Sequence, residues 1–227
     1  MFFRVKWFPH FNIESVRSLS GRYWFFYSLM SKAVFLDRDG VLNFDRADFI
    51  HGPDELVMIP GAAAAVSRLC ASGWRVLVAT NQSGIGRGLF TLQDLQAINN
   101  KVEAVVEEYG GRIDRFYYCP HVPEDNCECR KPKPGMLLQA ARDFGLDLSE
   151  CFLIGDRLTD IETGLAAGVT TILVLSGVFT DFTDEVLEYP PHYVAPTLEA
   201  AVDRLLSGEI VSHRNHQQSV TFHQPSL

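Results

Sequence analysis

Residues 33–41 (AVFLDRDGV) are the stretch that decides the fold of this chain. Four apolar residues end abruptly on two aspartates, Asp37 and Asp39, which lie two positions apart. An uninterrupted apolar run of this kind is typical of a parallel strand that is covered by helices on both faces. Because open α/β sheets bind their ligands where such strands end, we expect Asp37 and Asp39 to take part in chemistry.

Downstream of this run, short apolar segments alternate with segments of helical pattern. This alternation predicts right-handed βαβ units, and therefore an α/β fold in which a doubly wound, mostly parallel sheet lies between two layers of helices. Thr91 is a predicted N-cap. The predicted strands after the first are 75–80, 112–118, 151–155, 169–175 and a last edge strand at Val194, and the predicted helices are 61–72, 91–109, 134–144, 159–167 and 197–206.

The length of 227 residues suits one α/β domain with irregular ends. We place the domain at residues 30–207, with Met30 as its natural start. Residues 1–29 are rich in aromatic side chains without sustained periodicity, and we interpret them as an extension of doubtful function. Residues 208–227 contain three histidines and no apolar period, so we interpret them as a loose tail.

The charge balance is acidic, with a net charge of −8 at pH 7. Residues 33–227 alone hold 15 basic and 27 acidic side chains. Such a surface is unsuited to neutralising nucleic-acid phosphates, and no apolar run approaches the roughly 20 residues of a membrane span. The five cysteines, an odd number, are typical of a reducing compartment. We therefore expect a cytoplasmic monomer that acts on a small molecule.

Polar side chains end three of the predicted strands. Asp37 and Asp39 follow the first, Thr80 lies at the end of the second, and Asp156 follows a later one. In a parallel sheet these ends meet at one edge, where carboxylates form an all-oxygen site suited to Mg²⁺. One carboxylate could attack a phosphorus atom while a second transfers protons. Asp37 and Asp39 have the residue type and spacing for those two roles.

A second constellation combines Cys119-Pro120-His121 with Cys127-Glu128-Cys129. Three thiols and one imidazole suffice for a closed tetrahedral Zn²⁺ site, which would be structural because no ligand position stays open. The alternative is a set of small buried thiols beside an exposed histidine, but the prolines and acids of this loop cannot form a core. The loop leads directly into Arg130 and Lys131, two cations that could grip anionic groups.

Together these motifs resemble the haloacid dehalogenase superfamily of phosphatases. The resemblance rests on Asp37-Arg38-Asp39-Gly40-Val41, Thr80, Lys131 and Gly155-Asp156-x-x-x-Asp160, in that order. It implies a Mg²⁺-dependent phosphomonoesterase that works through an aspartyl-phosphate, with Asp37 as nucleophile and Asp39 as general acid and base. It also implies that Thr80 and Lys131 hold the phosphoryl group. The Mg²⁺ ligands would be Asp37, the backbone carbonyl of Asp39, and Asp156.

Residues 119–129, which we call the zinc loop, and the stretch Thr80-Asn81-Gln82-Ser83-Gly84 are similar to one branch of that superfamily. This branch comprises the D-glycero-D-manno-heptose 1,7-bisphosphate 7-phosphatases and related histidinol-phosphatase domains. That branch lacks a large cap domain. The resemblance implies a sugar bisphosphate substrate, with histidinol phosphate as the alternative; a non-catalytic module that binds a phosphate ligand is a further alternative of a different class. The residues it implies for substrate binding are Asp45, Arg46, Asp48, Asn81, Gln82, Ser83, Arg130 and Arg157.

Overall fold

The computed structural model describes residues 32–177 and 189–212. In this part of the chain six strands form one sheet, in which every neighbouring pair is parallel. The predicted parallel α/β architecture is confirmed. The sheet order is β3-β2-β1-β4-β5-β6, with β1 Ala33–Leu36, β2 Arg75–Asn81, β3 Arg115–Cys119, β4 Phe152–Gly155, β5 Thr170–Val174 and β6 Tyr193–Ala195.

Helices cover both faces of the sheet. Successive residues of each strand point to opposite sides, so the apolar strands place side chains on both faces that helices must bury. Val34 and Leu36 pack into the core that the sheet shares with α1 (Ala62–Ala71), α2 (Leu92–Glu108) and α5 (Leu198–Leu206). Ala33 and Phe35 pack on the opposite face, where α3 (Gly135–Phe144) lies. All four of these side chains are fully buried. Helix α4 spans Leu158–Ala167.

Two local features of α2 and β3 show how the sequence sets element boundaries. Thr91 forms the predicted N-cap of α2, since the Asp94 amide donates to its hydroxyl oxygen at 3.2 Å and its own amide donates to the Asp94 carboxylate at 2.8 Å. The third strand was predicted over 112–118 but begins at Arg115. The Asp114 amide still donates to the Val76 carbonyl at 2.8 Å, but the Val76 amide donates to the Asp114 carboxylate at 2.9 Å and not to a backbone carbonyl.

Parts of the predicted domain division fall outside the described residues. These are the extension 1–29, residues 30, 31 and 178–188 of the predicted domain, and residues 213–227 of the tail. Within residues 32–177 and 189–212, no helix combines the length and the apolar character needed to cross a membrane.

The order of the strands determines where a ligand can bind. The chain adds β2 and β3 on one side of β1 and then crosses to β4 on the other side, so connections leave the sheet in opposite directions between β1 and β4. A crevice opens at such a switch point, beyond the carboxyl ends of the strands. Asp37 directly follows β1 and Asp156 directly follows β4, and the Asp37 amide donates to the Ile154 carbonyl at 3.0 Å.

Candidate active site

A cavity of about 370 Å³ opens at this switch point. It is lined by residues from the β1 loop, the end of β2, the segment that follows the zinc loop and the start of α4. Of the predicted catalytic and substrate-binding residues, eleven line this cavity and Asp48 does not. The eleven are Asp37, Asp39, Asp45, Arg46, Thr80, Asn81, Gln82, Ser83, Arg130, Lys131 and Arg157.

A buried cluster of charges lies next to the floor of the cavity. Ligand oxygens of Asp37, Asp156 and Asp160 all lie within 4.8 Å of one another. The Lys131 ammonium contacts Asp37 at 2.9 Å and Asp160 at 2.5 Å, and it donates to the Ala79 carbonyl at 2.9 Å. The sequence predicts roles for Asp37, Asp156 and Lys131 but none for Asp160, although Asp160 belongs to the same motif, four residues after Asp156.

The cluster shifts the pKa values of its own members. Burial raises the pKa of Asp37 to about 6, although the neighbouring Lys131 ammonium partly opposes this shift. Burial also disfavours the charged form of Lys131, but the carboxylates of Asp160 and Asp37 outweigh it and hold the pKa of Lys131 above its usual value. Lys131 is therefore a fixed cation at the floor of the cavity.

The surroundings of Asp156 suit a metal ligand. Its side chain is fully buried, and glycines surround it so closely that a Cβ atom added at Gly40 or Gly177 would overlap its carboxylate. Asp160 uses one oxygen for Lys131 and the other for the Arg157 amide at 3.1 Å. Hard carboxylate oxygens gathered in a cradle of this kind fit Mg²⁺.

This close packing yields a first prediction. Gly177→Ala should displace the Asp156 carboxylate, raise the Mg²⁺ concentration needed for half-maximal activity about tenfold or more, and cost about 1–3 kcal/mol of stability through overpacking. Gly52→Ala is the matched control, since no atom lies within 4 Å of an added Cβ there. A Mg²⁺ titration of the rate and a thermal melt check both effects. Unchanged Mg²⁺ dependence in Gly177→Ala would contradict the role of Asp156.

Asp39 occupies a separate network at the wall of the cavity. Its two oxygens accept hydrogen bonds from Arg38 at 2.9–3.1 Å, from Asn43 at 2.9 Å and from Gln82 at 2.8 Å. Burial disfavours the charged carboxylate, but the Arg38 charge and these hydrogen bonds outweigh burial, so the pKa of Asp39 lies below its usual value. Asp39 is therefore ionised in the free protein.

The predicted zinc ligands converge as one cluster. The sulfur–sulfur distances from Cys127 are 3.5 Å to Cys119 and 3.4 Å to Cys129, and the His121 Nδ1 atom lies 3.6 Å from Cys119 and 3.3 Å from Cys129. Tetrahedral Zn²⁺ with bonds of about 2.0–2.3 Å places its ligand atoms roughly 3.4–3.8 Å apart. The four side chains therefore fit a structural zinc ion.

Hydrogen bonds connect this zinc loop to the cavity. The Arg130 guanidinium donates to the His121 carbonyl at 3.2 Å. The Asn81 side chain pairs with the backbone of Lys131, donating to its carbonyl at 3.1 Å and accepting from its amide at 3.0 Å. Asn81 itself lies beside Cys119 in the ladder between β2 and β3. Folding of the zinc loop thus fixes where Arg130 and Lys131 enter the cavity.

The rim of the cavity carries further charged side chains. Arg157 bonds to Asp45 at 2.5 Å, which joins the loop after β1 to the start of α4. Arg46 and Asp48 form an exposed pair at 2.8 Å. Among the described residues, four guanidinium groups line the cavity: that of Arg38 is buried in its wall, and those of Arg46, Arg130 and Arg157 lie at its rim, whereas the ammonium of Lys131 lies at its floor. The cavity can therefore contact two separate anionic groups of one ligand.

Comparisons with known proteins agree with this arrangement. A family model described as HAD-hydrolase-like matches residues 128–201. A D-glycero-beta-D-manno-heptose-1,7-bisphosphate 7-phosphatase of Pseudomonas aeruginosa is 46% identical over 149 residues, which make up 65% of this chain and 84% of that protein. The predicted resemblance to this branch of the haloacid dehalogenase superfamily is confirmed.

Two solved structures resemble the fold. The D,D-heptose 1,7-bisphosphate phosphatase of Bordetella bronchiseptica, complexed with magnesium and phosphate, superposes with a TM-score of 0.73 at 38% identity and covers 78% of this chain and 99% of that one. The same-named phosphatase of Burkholderia thailandensis gives a TM-score of 0.56 at 35% identity, covering 78% and 99%. Both similarities span nearly the whole of the solved chains.

Proposed function

This chain belongs to the family of D-glycero-beta-D-manno-heptose-1,7-bisphosphate 7-phosphatases, and we propose that it hydrolyses a heptose 1,7-bisphosphate to the 1-phosphate. The observation that carries this proposal is the separation of cations in the cavity. Lys131 lies at the floor between Asp37 and Asp160, while the guanidinium groups of Arg46, Arg130 and Arg157 lie at the rim, where Arg46 is paired with Asp48 and Arg157 with Asp45. One phosphate would react at the floor while the other is held at the rim.

In the first half of the proposed reaction, a carboxylate oxygen of Asp37 attacks the phosphorus atom. The bond between phosphorus and the sugar oxygen breaks, and the leaving oxygen takes a proton from Asp39. Lys131 and the Thr80 hydroxyl hold the phosphoryl oxygens. Asp39 must be protonated for this step, and the negative charge of a bound phosphate next to it favours its acid form.

In the second half, water attacks the phosphorus atom of the aspartyl-phosphate. The bond to the Asp37 oxygen breaks, phosphate leaves, and Asp39 takes the proton of the water. The Arg38 guanidinium and the Gln82 amide keep Asp39 ionised, which is the form needed to accept that proton. The same residue thus donates a proton in one half of the cycle and accepts one in the other.

Residues already described would bind both metals. Asp37, Asp156 and the backbone carbonyl of Asp39 would hold Mg²⁺, which supplies positive charge next to the phosphoryl oxygens. Asp160 is occupied by Lys131 and the Arg157 amide, so we assign it to positioning the lysine. The four zinc ligands shape the loop that delivers Arg130 and Lys131.

The charges at the rim favour a bisphosphate over histidinol phosphate. A sugar bisphosphate brings a second anion to the three guanidinium groups, whereas histidinol phosphate brings an ammonium group, which they would repel. We expect kcat/KM to be highest for one anomer of D-glycero-D-manno-heptose 1,7-bisphosphate when both anomers, histidinol phosphate and simple sugar monophosphates are compared. A preference for histidinol phosphate would overturn the proposed substrate.

Arg130 provides a second prediction. Arg130→Ala should lower kcat/KM for the heptose 1,7-bisphosphate about 10- to 100-fold, mainly through KM, because a charge-assisted contact to the non-reacting phosphate is lost. The same variant should act almost normally on the 7-monophosphate of the same sugar. Arg142→Ala, at an exposed position of α3, is the control. An equal loss on both substrates would contradict contact with the second phosphate.

A further inference from the structure

Gln82 lies at the centre of a buried polar network that joins Arg38, Asp39 and Thr80. The side chain is 3% exposed, and it contacts three residues of the candidate active site. It accepts a hydrogen bond from Arg38 at 3.2 Å and donates to Asp39 at 2.8 Å and to Thr80 at 3.0 Å. The family resemblance implies that Gln82 contacts the substrate.

The partners of Gln82 fix the orientation of its amide. A guanidinium has only donors, so the side-chain oxygen of Gln82 must face Arg38. An ionised carboxylate has only acceptors, so the amide nitrogen must face Asp39. The second hydrogen of that nitrogen is then directed at the Thr80 hydroxyl oxygen.

This orientation determines what Thr80 can do. Because its oxygen accepts the hydrogen bond from Gln82, the hydroxyl hydrogen of Thr80 stays available for another acceptor. Thr80 lines the cavity, and a phosphoryl oxygen is an acceptor. A hydroxyl that donates to Gln82 instead would present only lone pairs to the phosphate, which would weaken its binding in the transition state.

Arg38 is itself held in place from the opposite side. It is 1% exposed, and its guanidinium donates to Asn99 of α2 at 3.3 Å as well as to Asp39 and Gln82. Asn99 is 3% exposed, on the face of α2 that carries Leu95 and Val102. The network therefore runs without interruption from a core helix to Thr80.

We infer that Gln82 is a positioning residue that directs the Thr80 hydroxyl hydrogen toward the phosphoryl group and holds the Asp39 carboxylate in place. This inference rests on the proposed function, since it assigns how two of its reacting groups are aligned. Substitution of Gln82 should therefore lower kcat more than it changes KM, because phosphoryl contacts strengthen as the transition state forms.

The test uses two substitutions of Gln82 in the full-length, metal-loaded protein. Gln82→Glu keeps the shape but replaces the donor by an oxygen that faces Asp39 and Thr80, and Gln82→Met removes both polar atoms. Gln96→Glu, at an exposed position of α2, is the matched control. Each Gln82 variant should lower kcat for the heptose bisphosphate about 10- to 100-fold with KM changed less than about threefold.

A double-substitution cycle separates positioning from direct contact with the substrate. Thr80→Val removes the hydroxyl, so Gln82→Met should lower kcat clearly less in that background than in the wild-type enzyme. If Gln82 touches the substrate instead, its substitution should raise KM and the two effects on kcat/KM should multiply. Full multiplication, or unchanged kcat in both Gln82 variants, would overturn the inference.

Thermal unfolding without substrate provides a second test of the role of Gln82 that does not depend on the proposed function. Both Gln82 variants should lower Tm by roughly 4–10 °C, because Arg38 and Asp39 lose a buried partner, while Gln96→Glu should leave Tm unchanged. An unchanged Tm would overturn the network role of Gln82. A wild-type protein that hydrolyses none of the phosphate esters would refute the proposed function but would leave this result standing.

Discussion

Asp37→Asn is expected to abolish turnover, lowering kcat about a thousandfold or more, while the fold and the zinc content stay unchanged. The amide has nearly the shape of the carboxylate, but it is a poor nucleophile. Lys131 keeps its contacts with Asp160 and the Ala79 carbonyl, so the floor of the cavity should stay ordered. The rate of phosphate release at saturating Mg²⁺ measures the loss.

The control for this substitution is Asp54→Asn, which replaces an exposed aspartate of the short 3-10 helix Pro53–Glu55 between β1 and α1. It should be as active as the wild type. Circular dichroism and elemental analysis of both variants show whether fold and zinc content are retained. Mg²⁺-dependent phosphatase activity close to the wild-type rate in Asp37→Asn would eliminate the proposed mechanism.

Loss of one zinc ligand should have the largest effect on stability. Cys127→Ser is expected to reduce bound zinc to well below one equivalent and to lower Tm by roughly 10 °C or more, because metal binding contributes to the folding of a loop that has little apolar core of its own. The loop packs tightly at its far end, since a Cβ at Gly135 of α3 would overlap the Glu128 carbonyl. Activity should fall with zinc content, because Lys131 follows Cys129 by two residues.

The matched control is Cys70→Ser, because Cys70 lies outside the zinc cluster and its sulfur donates to the Arg112 carbonyl, a contact that a hydroxyl can retain. Elemental analysis and calorimetry of protein purified without chelators give the zinc content and Tm. Less than about half an equivalent of zinc in the wild type, or a Cys127→Ser variant that melts at the wild-type temperature, would contradict the structural site.

The sequence was sufficient to predict the convergence of Asp37 and Asp156. Both follow short apolar strands, and in a parallel sheet the carboxyl ends of neighbouring strands lie at the same edge. The convergence of the four predicted zinc ligands could be predicted equally well, since these residues lie in one loop and their types and spacing are specific. In both cases a local pattern, read together with one topological rule, determines the position of the side chains.

The internal partners of the site could not be predicted in the same way. Whether Asp160 contacts a metal or Lys131, and whether Asn81 and Gln82 face the substrate or the protein, depends on side-chain rotamers. A weaker signal did exist for the buried network. Asn99 interrupts the apolar face of a helical pattern, and Arg38 is a charged side chain just after a buried strand, so each needs a polar partner inside the protein.

The most direct test of the proposed aspartyl-phosphate mechanism is to trap phosphate on the enzyme. Wild-type protein mixed with Mg²⁺ and heptose bisphosphate labelled at the 7-phosphate, then quenched with acid within milliseconds, should carry label that hydroxylamine releases. Mass spectrometry of the peptides should place it on Asp37, and Asp37→Asn should carry none. Release of labelled phosphate with no labelled enzyme at any quench time, or label on another residue, would contradict the central role of Asp37 at the end of the first strand.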